Sequence, residues 1–160
     1  MAIGSFAAES AQGNDVTAVG AYAANGATSA YQIVAIGSSA LRQVTAGIRL
    51  VAVGQQAGRY AADGSTPVQT NTYSVFIGNG TRASANGRTN ETVIGANAIG
   101  GGSHTVRLGN ASVTNWLPGA TNKVALGSST LAFKELYLHD GTDAWKVTID
   151  TSGVLTTAKV

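Results

Sequence analysis

The residues with catalytic potential in this sequence are few and widely scattered. Asp140 and Asp143 flank a predicted turn and have the chemistry of a glycosidase acid pair. His104 and His139 stand apart from each other and from any nucleophile signature. The sequence contains no Gly-x-Ser-x-Gly and no His-Glu-x-x-His motif. Because acidic residues are common at turns, we expect no catalytic residues and no enzyme activity.

Metal and cofactor sites have equally little support. The chain has no cysteine, which excludes thiolate metal sites and disulfides. A calcium-binding nonapeptide roll needs aspartate after its repeating glycines, but here those positions hold Ser5, Ala21, Ser38, Gln55, Asn79, Ala96, Asn110 and Ser128. The run Gly100-Gly101-Gly102 lacks the lysine of a phosphate-binding loop. We therefore predict no metal and no cofactor.

Charge is sparse and unevenly distributed. Charged residues make up 11% of the chain, against about 25% in ordinary domains. Basic residues dominate between positions 18 and 134: Arg42, Arg49, Arg59, Arg82, Arg88, Arg107, Lys123 and Lys134. They could face phosphates or anionic glycans, but a solubilising or subunit-bridging role is favoured. Few aromatic residues lie among them, so nucleic acid is not an expected partner. No apolar run approaches the roughly 18 residues that span a bilayer, so membrane insertion is not expected either.

A pentamer that ends in glycine recurs along the chain. An aliphatic residue precedes each glycine, a β-branched residue stands three positions before all but the first, and a small residue stands three positions after each. The glycines are Gly4, Gly20, Gly37, Gly54, Gly78, Gly95, Gly109 and Gly127. Positions two apart on a strand share a face, so each pentamer is predicted as a short strand with its β-branched and aliphatic face inside the coil. Each glycine is predicted to form a corner, where φ is positive or close backbone approach forbids a side chain.

This period predicts a parallel β-roll or β-helix. Most intervals are 16 or 17 residues, enough for two short strands and two turns per coil. A coil this thin cannot bury its apolar face alone, and its stability comes from stacking and from neighbouring chains. We therefore expect a homo-oligomer.

The recurring pattern aliphatic-Gly-x-x-Ala, with a further glycine in mid-repeat, resembles the head repeats of trimeric autotransporter adhesins of the YadA type. The same repeats occur in bacteriophage tail fibres, and the segments 90–98 and 103–110 are especially similar to the phage version. The resemblance covers residues 2–112. It implies an all-β fold, a left-handed parallel β-roll of about seven coils in which three chains pack about one axis. The coils here are longer than is common in adhesin heads.

After Gly127 the period breaks, and the chain is predicted to divide into a roll (1–112) and a C-terminal segment (113–160). The latter resembles a segment found late in phage tail fibres. Strands are predicted at 136–139, 144–149 and 154–157, joined by tight turns into a β-meander. We expect its large side chains to fill a trimer core: Phe133, Tyr137 and Trp145. The alternative is a sugar-binding tip beside the nearby aspartates.

The longest interval lies between two of the corner glycines, at positions 54 and 78. Insertions in repeat arrays map to loops that are often the binding face. The candidate receptor-binding residues are Arg59, Tyr60, Gln69, Asn71 and Tyr73. The alternative is a surface loop without a role in binding.

The resemblance implies a homotrimeric segment of a phage tail fibre on the virion tail. Such a segment would contact other virion tail proteins and attach to a host-surface glycan or lipopolysaccharide. One alternative is the head of a bacterial trimeric adhesin at the cell surface. A third is a fragment of a tailspike that degrades polysaccharide.

Overall fold

The chain is all β-structure wherever the computed structural model describes it, at residues 1–12, 15–117, 136–139, 142–149 and 154–159. A seven-stranded parallel sheet contains, in chain order, β1 (Ala2–Ile3), β2 (Val16–Val19), β3 (Tyr31–Ile36), β4 (Ile48–Val53), β5 (Val75–Ile77), β6 (Glu91–Ile94) and β7 (Thr105–Leu108). Parallel neighbours require a crossover between every two strands, so the chain advances by one strand per turn. The result is a β-solenoid of about six turns.

Strand register follows the sequence repeat. Val19 lies opposite Ile36, which lies opposite Val53, and the same column continues to β7. The predicted all-β parallel roll is therefore confirmed. The eighth copy of the pentamer, at 123–127, lies outside the described residues, which contain about six turns where about seven were predicted. The predicted left hand and trimeric state stay predictions.

In β2 to β6, the interior of the roll is lined by the strand face opposite to the one predicted. The second residue before each corner glycine is buried in five strands: Ala18, Ala35, Ala52, Phe76 and Val93. By contrast, Ile36, Ile77 and Ile94 are 40%, 39% and 36% exposed. The prediction that the aliphatic and β-branched face points inward is therefore wrong. In β2 to β4 the inward position holds alanine, which suits a thin turn, and the larger aliphatic side chains beside it lie outside.

The corner glycines stack directly on one another. Gly20, Gly54 and Gly78 have φ values of 124°, 131° and 128°, a region that side chains rarely allow. A Cβ added to Gly20 would lie 2.7 Å from the carbonyl carbon of Gly37 in the next turn. Positive φ is confirmed for the seven described corners, and close backbone approach for six of them; at Gly109 an added Cβ would instead meet the side chain of Val113. Gly127 lies outside the described residues.

The small residue three positions after the corner faces into the roll at the first six corners, whereas Ser112, after the seventh, is exposed. The N–H of Ala23 donates to the carbonyl of Gly20 at 3.2 Å, which closes a tight turn, and equivalent bonds form in other turns. Ala23, Ala40 and Ala57 are fully buried. On the far side of the coil, the second strand that the repeat predicted is reduced to isolated parallel bridges.

The chain divides into two compact units, Met1–Thr114 and Asn115–Val160. In the second, the described strands β8 (Leu136–His139), β9 (Ala144–Ile149) and β10 (Leu155–Lys159) form an antiparallel meander in the order β10-β9-β8. The first two have the predicted bounds, and the third begins one residue later and extends to Lys159.

The meander separates the residues predicted to fill a common trimer core. Trp145 lies opposite Leu138, whereas Tyr137 lies opposite Lys146. Cross-strand partners share a face and neighbours along a strand alternate, so Tyr137 and Trp145 are on opposite faces of the sheet. Tyr137 is 56% exposed. The expectation that these rings fill a trimer core stays a prediction, and Phe133 lies outside the described residues.

Candidate functional site

The insertion between β4 and β5 folds as a short hairpin on the solenoid surface. Tyr60 pairs with Pro67 in an antiparallel bridge, and the N–H of Ala61 donates to the carbonyl of Thr66 at 2.8 Å. The Asp63 carboxylate ties the tip together: the Thr66 hydroxyl donates to Oδ2 at 2.5 Å, and the N–H groups of Ser65 and Thr66 donate to Oδ1 at 2.9 Å. These bonds, led by that of the Thr66 hydroxyl, hold the pKa of Asp63 well below its usual range.

The return leg of the insertion is anchored in the roll. Val68 is fully buried, and its N–H donates to the carbonyl of Arg59 at 3.0 Å. Asn71 is also fully buried, and its Oδ1 accepts the N–H of Arg88 at 3.0 Å. A buried side chain cannot contact a receptor, so the prediction for Asn71 is corrected: it fastens the insertion to the next turn. Gln69 is exposed, as a contact residue must be.

The other candidates form two arginine–tyrosine pairs. The Arg59 guanidinium lies over the Tyr60 ring, 4.5 Å from its centroid. The Arg49 guanidinium lies 5.2 Å from the Tyr73 centroid and donates to the Tyr73 hydroxyl at 2.9 Å. Tyr73 is 51% exposed. The Arg59–Tyr60 pair belongs to the hairpin, and the Arg49–Tyr73 pair lies beside the starts of β4 and β5, so the structure divides the predicted site into two patches.

Four residues that sequence reasoning missed join Tyr60 and Gly64 around a cavity of about 220 Å³: Gln56, Gly80, Arg82 and Asn97. Three of them, Gln56, Gly80 and Asn97, occupy the same repeat position, two residues after a corner glycine. Aligning the repeats on that position would have placed these three in one column. Arg82 donates from Nη1 to the carbonyl of Ala62 at 3.1 Å. This bond links the segment between β5 and β6 to the hairpin.

A buried carboxylate lies elsewhere in the solenoid. Glu91 is fully buried, at the inward position that Ile33 and Leu50 occupy in earlier turns. Its oxygens accept the N–H of Ser84 at 3.2 Å and that of Gly102 at 2.9 Å. A Cβ at Gly100 would overlap Glu91 Oε1, so glycine is required there. Both carboxylate oxygens of Glu91 accept hydrogen bonds from backbone N–H groups. Glu91 therefore supports the fold and is not open to a ligand.

The remaining candidates for chemistry do not come together. Asn90 Nδ2 lies 3.3 Å from His104 Nδ1, a contact between surface side chains. Asp143 forms an ion pair with Lys159 at 2.7 Å, and Asp140 lies outside the described residues. Within the described ranges, no three acidic, histidine or cysteine side chains are grouped as a metal site would need.

No described segment is a helix long and apolar enough to cross a membrane. The chain matches no protein-family model, no curated protein and no solved structure.

Proposed function

We propose that this chain is a structural and adhesive segment of a homotrimeric phage tail fibre that helps attach the virion to its host. The observation that carries the proposal is an apolar stripe on the outer face of the sheet. It consists of the residues immediately before, and three before, the corner glycines in β3 to β6: Val34, Ile36, Val51, Val53, Val75, Ile77, Thr92 and Ile94.

The apolar stripe is a poor surface for a single chain in water. Contiguous exposed apolar patches of this kind mark interaction sites or become aggregation liabilities. Its isoleucines are between a third and two fifths exposed, so covering each would contribute roughly 0.5–1 kcal/mol. A second and third copy of the same chain would present the same stripe, so a closed symmetric assembly would cover all three.

The number three and the phage context rest on the repeat resemblance. The runner-up, the head of a bacterial trimeric adhesin, shares the roll and the stripe. The C-terminal segment that resembles late regions of tail fibres favours the phage reading. A polysaccharide-degrading tailspike needs two opposed carboxyls at a cleft. The two acids nearest the candidate surface support that reading poorly, because Glu91 is buried and Asp63 is bonded to its own loop.

Attachment is tested by titrating the full chain onto immobilised lipopolysaccharides and cell-wall glycans from a panel of bacteria. We expect saturable retention on a subset of them, without release of reducing ends. Retention on none would contradict the adhesive role, and release of reducing ends would favour the depolymerase.

Deleting residues 64–71 is unsuitable as a test, because that segment contains the buried residues Val68 and Asn71. Point changes at exposed positions are preferable. Gln69→Ala and Tyr73→Ala examine the exposed members of the predicted set without removing core side chains.

A further inference from the structure

We propose that the cavity between the hairpin and the two following turns binds a sugar residue that bears a carboxylate. The inference rests on the proposed function, which it deepens by naming the class of ligand and the residues that take it. The cavity is lined by Gln56, Tyr60, Gly64, Gly80, Arg82 and Asn97, and we call it the Arg82 cavity.

Arg82 gives the cavity its positive charge. A guanidinium carries five N–H donors, and the bond from Nη1 to the carbonyl of Ala62 uses one of them while fixing the position of the group. Among the described residues, no carboxylate forms an ion pair with Arg82. A planar, oriented guanidinium with free donors matches a carboxylate, which it can bind through two parallel hydrogen bonds.

Asp63, the acidic residue of the hairpin, does not form an ion pair with Arg82. Asp63 directs both carboxylate oxygens to the N–H groups and hydroxyl of its own loop. It precedes Gly64, where an added Cβ would lie 3.1 Å from Arg82 Nη1. At Ala62 and Gly64 the hairpin therefore brings its backbone close to the guanidinium.

The other lining residues match the neutral part of a sugar. Tyr60 offers an aromatic ring, which has an apolar body and a polar hydroxyl suited to wet binding surfaces. Arg59 stacks over that ring and limits its movement. Gln56 and Asn97 are exposed, and neither side-chain amide makes a hydrogen bond with a described residue. Each amide has donors and an acceptor with which to bind sugar hydroxyls.

A break in the repeat creates the cavity. Between Gln56 and Asn97, the column of residues two after each corner holds Gly80. A Cβ at Gly80 would lie 2.6 Å from Asn97 Oδ1, so a side chain there would displace the Asn97 amide and fill part of this space. The resulting space of about 220 Å³ is below the about 300–1,000 Å³ of pockets for drug-sized ligands, which suits one sugar residue.

The Arg82 cavity and the apolar stripe share no residues. A shallow cavity with one charged anchor binds weakly. Three copies on one trimer would raise the apparent affinity for a glycan that repeats the acidic sugar.

The test titrates the full chain with methyl β-D-glucuronide and, as the neutral match, methyl β-D-glucoside, followed by NMR shifts of the backbone amides. We expect the glucuronide to shift amides around the Arg82 cavity and to bind about tenfold or more tightly than the glucoside. Arg82→Gln should weaken glucuronide binding by a similar factor. Arg88→Gln makes the same charge change at an exposed arginine outside the cavity and should leave binding unchanged.

Asn97→Asp provides a second variant that does not touch the Arg82 bond to the hairpin. Aspartate tolerates the positive φ of position 97, and its carboxylate should repel the glucuronide while leaving the fold intact. The inference is overturned if the glucuronide does not bind, if the glucoside binds equally well, or if Arg88→Gln weakens binding as much as Arg82→Gln. Retention on bacterial glycans by a chain that fails this test would overturn the cavity assignment and leave the adhesive function standing.

Discussion

At the corner that ends each solenoid strand, the absence of one methyl group lets two turns stack. Gly78 has a φ of 128°, and an added Cβ would lie 2.8 Å from the carbonyl carbon and oxygen of Gly95. Backbone atoms cannot swing aside as a flexible side chain can. Gly102 has nearly the same φ, 120°, but nothing lies within 4 Å of its added Cβ. Alanine substitutions at the two glycines therefore separate the energetic cost of the positive φ from the cost of overlapping the neighbouring turn.

Gly78→Ala should lower the free energy of unfolding more than Gly102→Ala. Both substitutions carry a conformational cost of roughly 1–3 kcal/mol, and only Gly78→Ala adds an overlap with the neighbouring backbone. Urea unfolding of the two variants beside the parent chain measures the difference. Equal losses would mean that the stacked corners relax easily and that φ alone selects glycine.

Glu91→Gln should destabilise the solenoid by about 1–2 kcal/mol, because the new NH₂ group faces backbone N–H donors that the carboxylate accepted. The matched control is Glu9→Gln, which changes an exposed glutamate and should stay within about 0.5 kcal/mol of the parent. Urea unfolding at pH 7 checks both. If Glu91→Gln equals or exceeds the parent in stability, burying the charge costs more than its hydrogen bonds return.

At the scale of the strand, the sequence predicted where the strands lie and how they pair. It did not predict which face of each strand points into the roll. The glycine period locates β2 to β7 because each strand ends at a corner that only glycine can form. Alternation defines two faces but does not say which is inside. The face carrying Ile36 and Val53 is the more apolar, yet the narrow interior takes Ala35 and Ala52. Side-chain volume accounts for this choice in β2 to β4, whereas β5 buries Phe76 at the same inward position.

The candidate site was predictable only where it follows the repeat. The insertion was recognised from its length, but the burial of Asn71 depends on an N–H from the next turn, which no local pattern reveals. Gln56 and Asn97 could have been found by aligning repeats. Arg82 could not, because its place beside the hairpin depends on how the insertion folds back to Ala62.

A charged residue on the apolar stripe should dissociate the assembly without unfolding the chain. Ile77→Glu would place a carboxylate from each copy into the proposed interface, where burying unpaired charge is costly. Val113→Glu is the control, because Val113 is similarly exposed and lies outside the sheet. Light scattering should give a reduced mass for Ile77→Glu alone.

Ile77→Thr keeps a β-branched side chain and serves if the glutamate variant fails to fold. It should weaken association to a lesser degree. An unchanged mass for a folded Ile77→Glu chain would show that the apolar stripe is not the interface.

At the scale of the whole molecule, the solenoid unit is one sheet with one narrow core. Six spacings of about 4.8 Å extend it by about 29 Å. Its inner face is filled mainly by alanine, which contributes little burial per residue, while larger aliphatic side chains remain outside. A single chain therefore leaves many of its larger aliphatic side chains exposed to water. Covering the outer face would bury these side chains as in an ordinary protein core.

The most direct test of this account is the molar mass of the full chain, measured by light scattering during size-exclusion chromatography at several concentrations. One chain is 16.0 kDa, and the account predicts a trimer of about 48 kDa. A constant mass near 16 kDa across those concentrations would contradict it, because the apolar stripe would then be stable in water without a partner.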